Sequence, residues 1–220
     1  MKKYFLKLVR SPKQSIGSIR NARVFKRFAQ KYDLVYFGNV DASKDEHHTV
    51  RGVSLAPTYL DKHYTVGNVQ EQDLIAFERI NTLHYPNHKE QDYIWWIIAC
   101  PLGKKHIPHI YINGLRHKDI FYSNLFIKEP SFHKRVDAQH FGDLDHHFAV
   151  YAANNIENDT LRHYVDQPMI DVLRHTLPGH DIEVVDGQVL VMTHTKKPSV
   201  HVLEVMLKAA LWLADDLNGK

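Results

Sequence analysis

Apolar and basic positions alternate with helical spacing near the start of the chain. In residues 15–32, apolar side chains recur three and four positions apart, and most cations fall on the other side. The apolar positions are Ile19, Ala22, Phe25, Phe28, Ala29 and Tyr32. This pattern predicts an amphipathic basic helix. A shorter segment of similar character precedes it, and we predict a bend at Pro12, because proline disfavours a helical conformation in the residue before it.

From Asp33 to Gly114 the pattern changes to short runs rich in β-branched and aromatic residues, bounded by Gly, Asn, Asp and Pro. The runs are LVYFG, RGVSLA, HYTVGNV, DLIAFERI, YIWWIIACPL and IPHIYING. They predict a mostly antiparallel sheet. The polar segment from Asn81 to Gln91 contains a Pro-Asn pair and predicts an exposed loop between two long strands.

The C-terminal half mixes both periods. A strand is predicted at 147–153, followed by a short polar stretch and a helix over Pro168–Thr176, with Asp166 as its N-cap. The Asp-Gly pair at 186–187 lies between two alternating runs and predicts a hairpin, because its turn requires residues that tolerate positive φ.

The last predicted element is a helix from Ser199 to Leu217, with Ser199 as N-cap and Asn218-Gly219 as the stop. Apolar residues cover most of its circumference, so we expect it to be buried. The sequence thus predicts an α+β protein in which a largely antiparallel sheet packs on a buried C-terminal helix. The predicted organisation is a basic helical arm, 1–32, and a globular body, 33–217, which divides into a β-rich half, 33–114, and an α+β half, 115–217.

Charge is distributed unevenly along the chain. Residues 1–32 hold ten Lys or Arg and no Asp or Glu, although the formal net charge of all 220 residues is only +3. The remainder holds 18 basic and 25 acidic residues, a balance of −7. A basic arm on an acidic body therefore indicates either attraction between the two or an acidic partner for the arm.

Composition limits the compartment and the class of protein. The single cysteine, Cys100, allows no intrachain disulfide, and the longest apolar run, Ile94–Leu102, is about half of the roughly 20 residues that a membrane span requires. Basic residues interrupt the N-terminus where a secretory signal needs an apolar core. We therefore predict a cytoplasmic protein.

Several of these segments resemble a family of uncharacterised bacterial proteins, over about Leu34 to Leu217. The segments are IPHIYING, the Gly142-Asp143 pair, HFAVYA, the stretch Glu157–Leu161, QPMIDVL and DIEVVDGQVLV. The chain departs from the family pattern at Ile107, Leu144 and Gln167, where the family has Leu, Phe and Thr. The resemblance implies the α+β fold; it implies no activity, cofactor or catalytic residue. Members often carry transmembrane or basic membrane-proximal segments.

The 17 histidines raise the hypothesis of a metal site. Zinc requires three or four N, S or O ligands, and two clusters offer part of such a set. The weak candidates are Asp45, His47, His48, Asp143, Asp145, His146 and His147. No HExxH motif is present, and His106 and His109 point to opposite sides of an extended segment. We therefore favour solvated or locally hydrogen-bonded histidines.

Templates for catalysis are missing from the sequence. It contains no GxSxG, Walker A or GxGxxG motif, and Cys100 lies in an apolar run that predicts an inert core residue. Trp95 and Trp96 are neighbours on a strand, so at least one is expected in the core. We expect no catalytic residue and no cofactor, and a protein that is not an enzyme.

Three functional hypotheses follow. The first is an interaction module whose basic arm docks on an acidic surface, such as the cytoplasmic face of a membrane or an acidic protein. Its surface would consist of Arg20, Arg23, Lys26, Arg27, Lys31, Phe25 and Phe28. The competing structural interpretation is that the same apolar stripe packs on the acidic body. The second hypothesis is nucleic-acid binding, and the third is a metal-dependent enzyme that uses the histidine clusters.

Overall fold

The computed structural model describes residues 12–39, 59–83, 91–103, 106–114, 133–136, 148–153, 155–194 and 199–220. The helices in these ranges are α1, Pro12–Lys31, α2, Asn158–Tyr164, α3, Gln167–Thr176, and α4, Val200–Gly219. The strands are β1, Val35–Gly38, β2, Tyr59–Val69, β3, Gln72–Leu83, β4, Gln91–Pro101, β5, Ile110–Gly114, β6, His133–Arg135, β7, Phe148–Ala153, β8, Asp181–Val185, and β9, Gln188–Thr193. The predicted α+β class is confirmed.

The nine strands described form one sheet in the order β1-β2-β3-β4-β9-β8-β5-β7-β6. Every pairing is antiparallel, as the sequence predicts. The β8-β9 hairpin lies between β4 and β5, so strands from both halves of the chain share the sheet. Its turn at Asp186 and Gly187 has φ values of 49° and 71°, which confirms the predicted hairpin.

Two predicted connections differ in the structure. Strand β3 continues to Leu83 and β4 begins at Gln91, so both ends of the predicted loop 81–91 are strand; positions 84–90 and the predicted run RGVSLA lie outside the described residues. The polar stretch before α3 contains α2. Its buried Leu161 and Val165 and partly buried Tyr164 are three and four positions apart, so a short apolar stripe forms a helix within a polar sequence.

The predicted helix caps are confirmed. The Asp166 side chain accepts a hydrogen bond from the Met169 amide at the start of α3, and Ser199 accepts one from Val202 at the start of α4. Helix α4 continues through Gly219, two residues beyond the predicted Leu217. Its buried residues confirm that it belongs to the core.

All four described helices contribute to the apolar cluster on one face of the sheet. Trp96 and Cys100 lie on that face, whereas Trp95 belongs to a second cluster on the opposite face, as strand alternation requires. Both tryptophans are buried, which confirms the prediction that at least one of them lies in the core. Helix α1 and the first strands therefore share one core.

Candidate functional site

The inner side of α1 packs on the protein's own sheet. Phe25 and Phe28 are 0% exposed. The ring centroid of Phe25 lies 5.0 Å from that of Trp96 in an edge arrangement and 5.6 Å from that of His63. The prediction that Phe25 and Phe28 contact an external acidic surface is therefore wrong, because rings with no exposed area have none to offer. The alternative, that the apolar stripe packs on the body, is confirmed for these two residues.

A buried polar cluster lies beneath α1, centred on Glu78 of β3. Glu78 is 2% exposed. Its carboxyl group accepts hydrogen bonds from Asn21 Nδ2 of α1 and, at 3.2 Å, from Trp96 Nε1. Burial raises the pKa of Glu78, and the two donors oppose that shift. Asn21 thus joins the helix to two central strands through a single carboxyl group.

His63 extends the cluster to β1. It lies at a bulge in β2 with φ of 60°, a conformation that is uncommon for residues other than Gly. Its Nδ1 is 2.9 Å from the Tyr36 hydroxyl, and its Nε2 is 4.0 Å from Glu78 Oε1. Burial lowers the pKa of His63 to about 4, so the imidazole is neutral at pH 7 and the contact with Glu78 is not an ion pair there.

The outer side of α1 carries exposed cations, among them Arg20, Arg23, Lys26 and Arg27. The three arginines follow one stripe of the helix, because their spacings of three and four residues match its turn. They line a cleft of about 710 Å³. Its lining consists of Ile19, Arg20, Arg23, Val24 and Arg27 from α1 with Ser199 and Val200 from the start of α4.

The predicted cations have different surroundings. Lys31 Nζ is 2.6 Å from Glu204 Oε1 of α4, and this hydrogen bond raises the pKa of Lys31. Lys26 lies over the Tyr36 ring, 5.4 Å from its centroid. In the part of the chain that the structure describes, no ion pair includes any of the three cleft arginines. Lys31 is therefore matched to the body, whereas the cleft keeps its positive charge.

The opposite side of the sheet holds a buried ion pair. Arg79 Nε and Nη2 donate to the two carboxylate oxygens of Asp61, each at 2.8 Å, and the Arg79 side chain is fully buried. Further along, Asp181 accepts from the Tyr111 hydroxyl at 3.0 Å and from the Gly114 amide at 2.8 Å. These contacts fix neighbouring strands and lie away from α1, so we assign them to the fold.

The seven predicted metal ligands, in positions 45–48 and 143–147, lie outside the described residues. Within the described ranges, no group of three or more His, Cys, Asp or Glu side chains is arranged to hold a metal ion. His109 Nε2 contacts Glu183 at 2.8 Å, and His106 is exposed. Burial raises the pKa of the Cys100 thiol to about 12, and the predicted core position of Cys100 is confirmed.

No known protein family and no curated protein matches the chain. A solved structure similar to it is the crystal structure of the mycobacterial trehalose monomycolate transport factor A, TtfA. The TM-score is 0.58 at 12% sequence identity, over 89% of this chain and 93% of that chain. The likeness shows that the two chains share a fold. The resemblance to the uncharacterised bacterial family stays a prediction.

The sequence predicts the cations of the cleft but misses its second wall and the polar cluster beneath α1. Helical periodicity groups Arg20, Arg23 and Arg27, whereas the proximity of residues 199–200 arises only from tertiary packing. A signal for Glu78 does exist in the sequence. Strand alternation places it on the same face as the apolar Leu74 and Ala76, and a carboxylate at such a position requires buried donors.

Proposed function

We propose that this protein is a non-catalytic interaction module that docks the cationic outer face of α1 on an anionic membrane surface. The observation that carries the proposal is the arrangement of one helix. Its inner side is fixed in the core by Phe25 and Phe28, while Arg20, Arg23 and Arg27 line an exposed cleft without ion-pair partners among the described residues. Because the core contacts already hold the helix, its backbone loses little conformational freedom when it binds.

The attraction expected from this face is moderate and electrostatic. A basic residue near an anionic bilayer contributes about 1 kcal/mol, so Arg20, Arg23, Lys26 and Arg27 together contribute about 4 kcal/mol, roughly a thousandfold in affinity. Ile19, which is 56% exposed beside the cleft, adds a small apolar contact. Because the aromatic rings are buried in the core, binding should depend strongly on salt.

Two further observations bear on this proposal. None of the described helices is both long and apolar enough to cross a membrane. The structural neighbour is named a transport factor, and we extend to this chain only a role of that general kind. We place the docking at the cytoplasmic face of the membrane.

Neutralisation of the cationic face tests this proposal. A variant with Arg20→Gln, Arg23→Gln, Lys26→Gln and Arg27→Gln should lose most of its sedimentation with vesicles that contain 30% anionic lipid, while wild-type binding should weaken steeply from 50 to 300 mM salt. The four positions are exposed, so the fold should be kept. Removal of α1 is a poorer test, because it would uncover the core.

The control variant, Arg162→Gln with Lys208→Gln, removes exposed cations from other helices and should bind as wild type does. Equal vesicle binding by the neutralised and wild-type proteins would refute the proposal. Parallel titrations with double-stranded DNA and single-stranded RNA test the competing hypothesis that the cationic face binds nucleic acid. Tighter, α1-dependent binding to nucleic acid than to vesicles would replace the membrane with nucleic acid as the partner.

A further inference from the structure

We infer that the cleft between α1 and the start of α4 is a specific site for a phosphate monoester carried by a lipid headgroup. This inference rests on the proposed membrane docking and makes it more specific. Docking by charge alone needs only cations near a surface. The cleft instead offers a concave site lined by three arginine residues, so one anionic group can be bound in a defined place.

The dimensions of the cleft suit a headgroup better than a bare ion. Arg20 and Arg27 are seven residues apart, a rise of about 10 Å along the helix axis. Flexible arginine side chains can reach a common anion over that distance, with Arg23 between them. The volume of about 710 Å³ falls within the range of small-molecule sites and leaves room beyond a single phosphate.

The chemistry of the lining favours a phosphorylated amphiphile. Guanidinium groups bind phosphate oxygens through paired, parallel hydrogen bonds that a lysine ammonium cannot form. Ile19, Val24 and Val200 supply apolar surface beside the arginines, which suits the first carbon atoms of a lipid. No carboxylate lines the cleft among the described residues, so the arginines have no internal competitor there.

Charge complementarity also excludes the nearest basic segments of the chain as occupants. Positions 1–11 hold Lys2, Lys3, Lys7 and Arg10 and no Asp or Glu, so this segment would be repelled by the arginines. On the other side, Lys196 and Lys197 precede Ser199 in the sequence. Both segments that lead into the cleft walls are thus basic, and neither supplies the anion that would complement the arginines.

A charge-preserving variant tests the inference. In Arg20→Lys/Arg23→Lys/Arg27→Lys the positive charge is kept but the paired hydrogen bonds are lost. Wild-type protein should bind vesicles that contain phosphatidic acid, a phosphate monoester, about tenfold tighter than phosphatidylglycerol vesicles of equal surface charge. The lysine variant should bind both equally and with unchanged salt dependence. The conservative control Arg162→Lys, at an exposed arginine of α2 outside the cleft, should keep the wild-type preference.

Three outcomes would overturn the inference, and they are distinguishable from failure of the proposed function. Equal wild-type affinity for the two vesicle types, or a preference that survives in the lysine variant, would reject the specific site while leaving charge-based docking in place. Tight one-to-one binding of inorganic phosphate or glycerol phosphate, without a vesicle preference, would assign the cleft to a free anion. Absence of wild-type binding to both vesicle types would reject the proposed function itself.

A spectroscopic readout locates the bound group. Short-chain phosphatidic acid added to protein with 15N-labelled arginine should shift the Nε–Hε signals of Arg20, Arg23 and Arg27, and the signal of Arg162 should stay in place. Shifts confined to arginines outside the cleft would contradict the assignment. Thermal melting of each variant should match the wild type, because all substituted side chains are exposed.

Discussion

Replacement of Phe25 by Ala tests whether α1 belongs to the core. The Phe25 side chain is 0% exposed and contacts Trp96 and His63, so its removal leaves a cavity bordered by two strands. Phe-to-Ala changes at such positions cost about 3–5 kcal/mol. For a domain of this size, 1 kcal/mol corresponds to about 2–4 °C in Tm, so a loss of about 6–20 °C is expected.

The assay is urea unfolding followed by tryptophan fluorescence, with Ile19→Ala as the matched control. Ile19 is on the same helix but 56% exposed, so its replacement should change the free energy of unfolding by less than about 0.5 kcal/mol. A single transition shifted to lower urea in Phe25→Ala would show that α1 unfolds with the body. An unchanged main transition, with or without a separate early phase, would refute the placement of α1 in the core.

Two further predictions concern buried polar groups. His63→Asn keeps a residue that tolerates positive φ and removes the imidazole, whose pKa falls from 6.5 to about 4 on folding. Folding therefore favours the neutral imidazole, and the stability that results is complete above pH 6.5 and is lost as the pH falls toward 4. Between pH 7.5 and 4.5, the free energy of unfolding should fall more for the wild type than for His63→Asn. Equal losses would show that His63 is not the source of this pH dependence. Asp61→Ala deprives buried Arg79 of its bidentate carboxylate and should lower the free energy of unfolding by about 3–5 kcal/mol. The double variant Asp61→Ala/Arg79→Met should recover most of that free energy in a double-mutant cycle measured by chemical denaturation. Additive losses would show that the two residues are not coupled.

The elements of the fold follow from local signals more fully than their arrangement does. The Asp186-Gly187 turn and the caps Asp166 and Ser199 were predictable because each depends on the backbone chemistry of a few adjacent residues. Helix α2 was not, because its stripe of Leu161, Tyr164 and Val165 is short and lies among polar residues. The insertion of β8-β9 between β4 and β5 is a long-range pairing for which no local pattern exists.

The candidate site, too, was predictable from the sequence only in part. Periodicity assigns Phe25 and Arg23 to opposite sides of one helix, but it does not tell whether the apolar side meets a lipid surface or the protein's own sheet, since both environments exclude water. That choice depends on tertiary partners such as Trp96 and His63, which are distant in sequence. The position of the cationic side was therefore predictable, whereas the role of the aromatic side was not.

The contacts that hold α1 also explain how one helix can serve both packing and docking. If attraction between the basic arm and the acidic body held the helix, its cations would be matched to carboxylates, as Lys31 is to Glu204. Instead, the attachment depends on buried Phe25 and Phe28 and on the Asn21 contact with Glu78, none of which salt screens appreciably. Salt should thus weaken docking through Arg20, Arg23 and Arg27 without releasing α1 from the sheet. The helix backbone that carries the three arginines is consequently fixed on the sheet before any partner binds, so the positions from which their side chains reach an anionic group are set in advance.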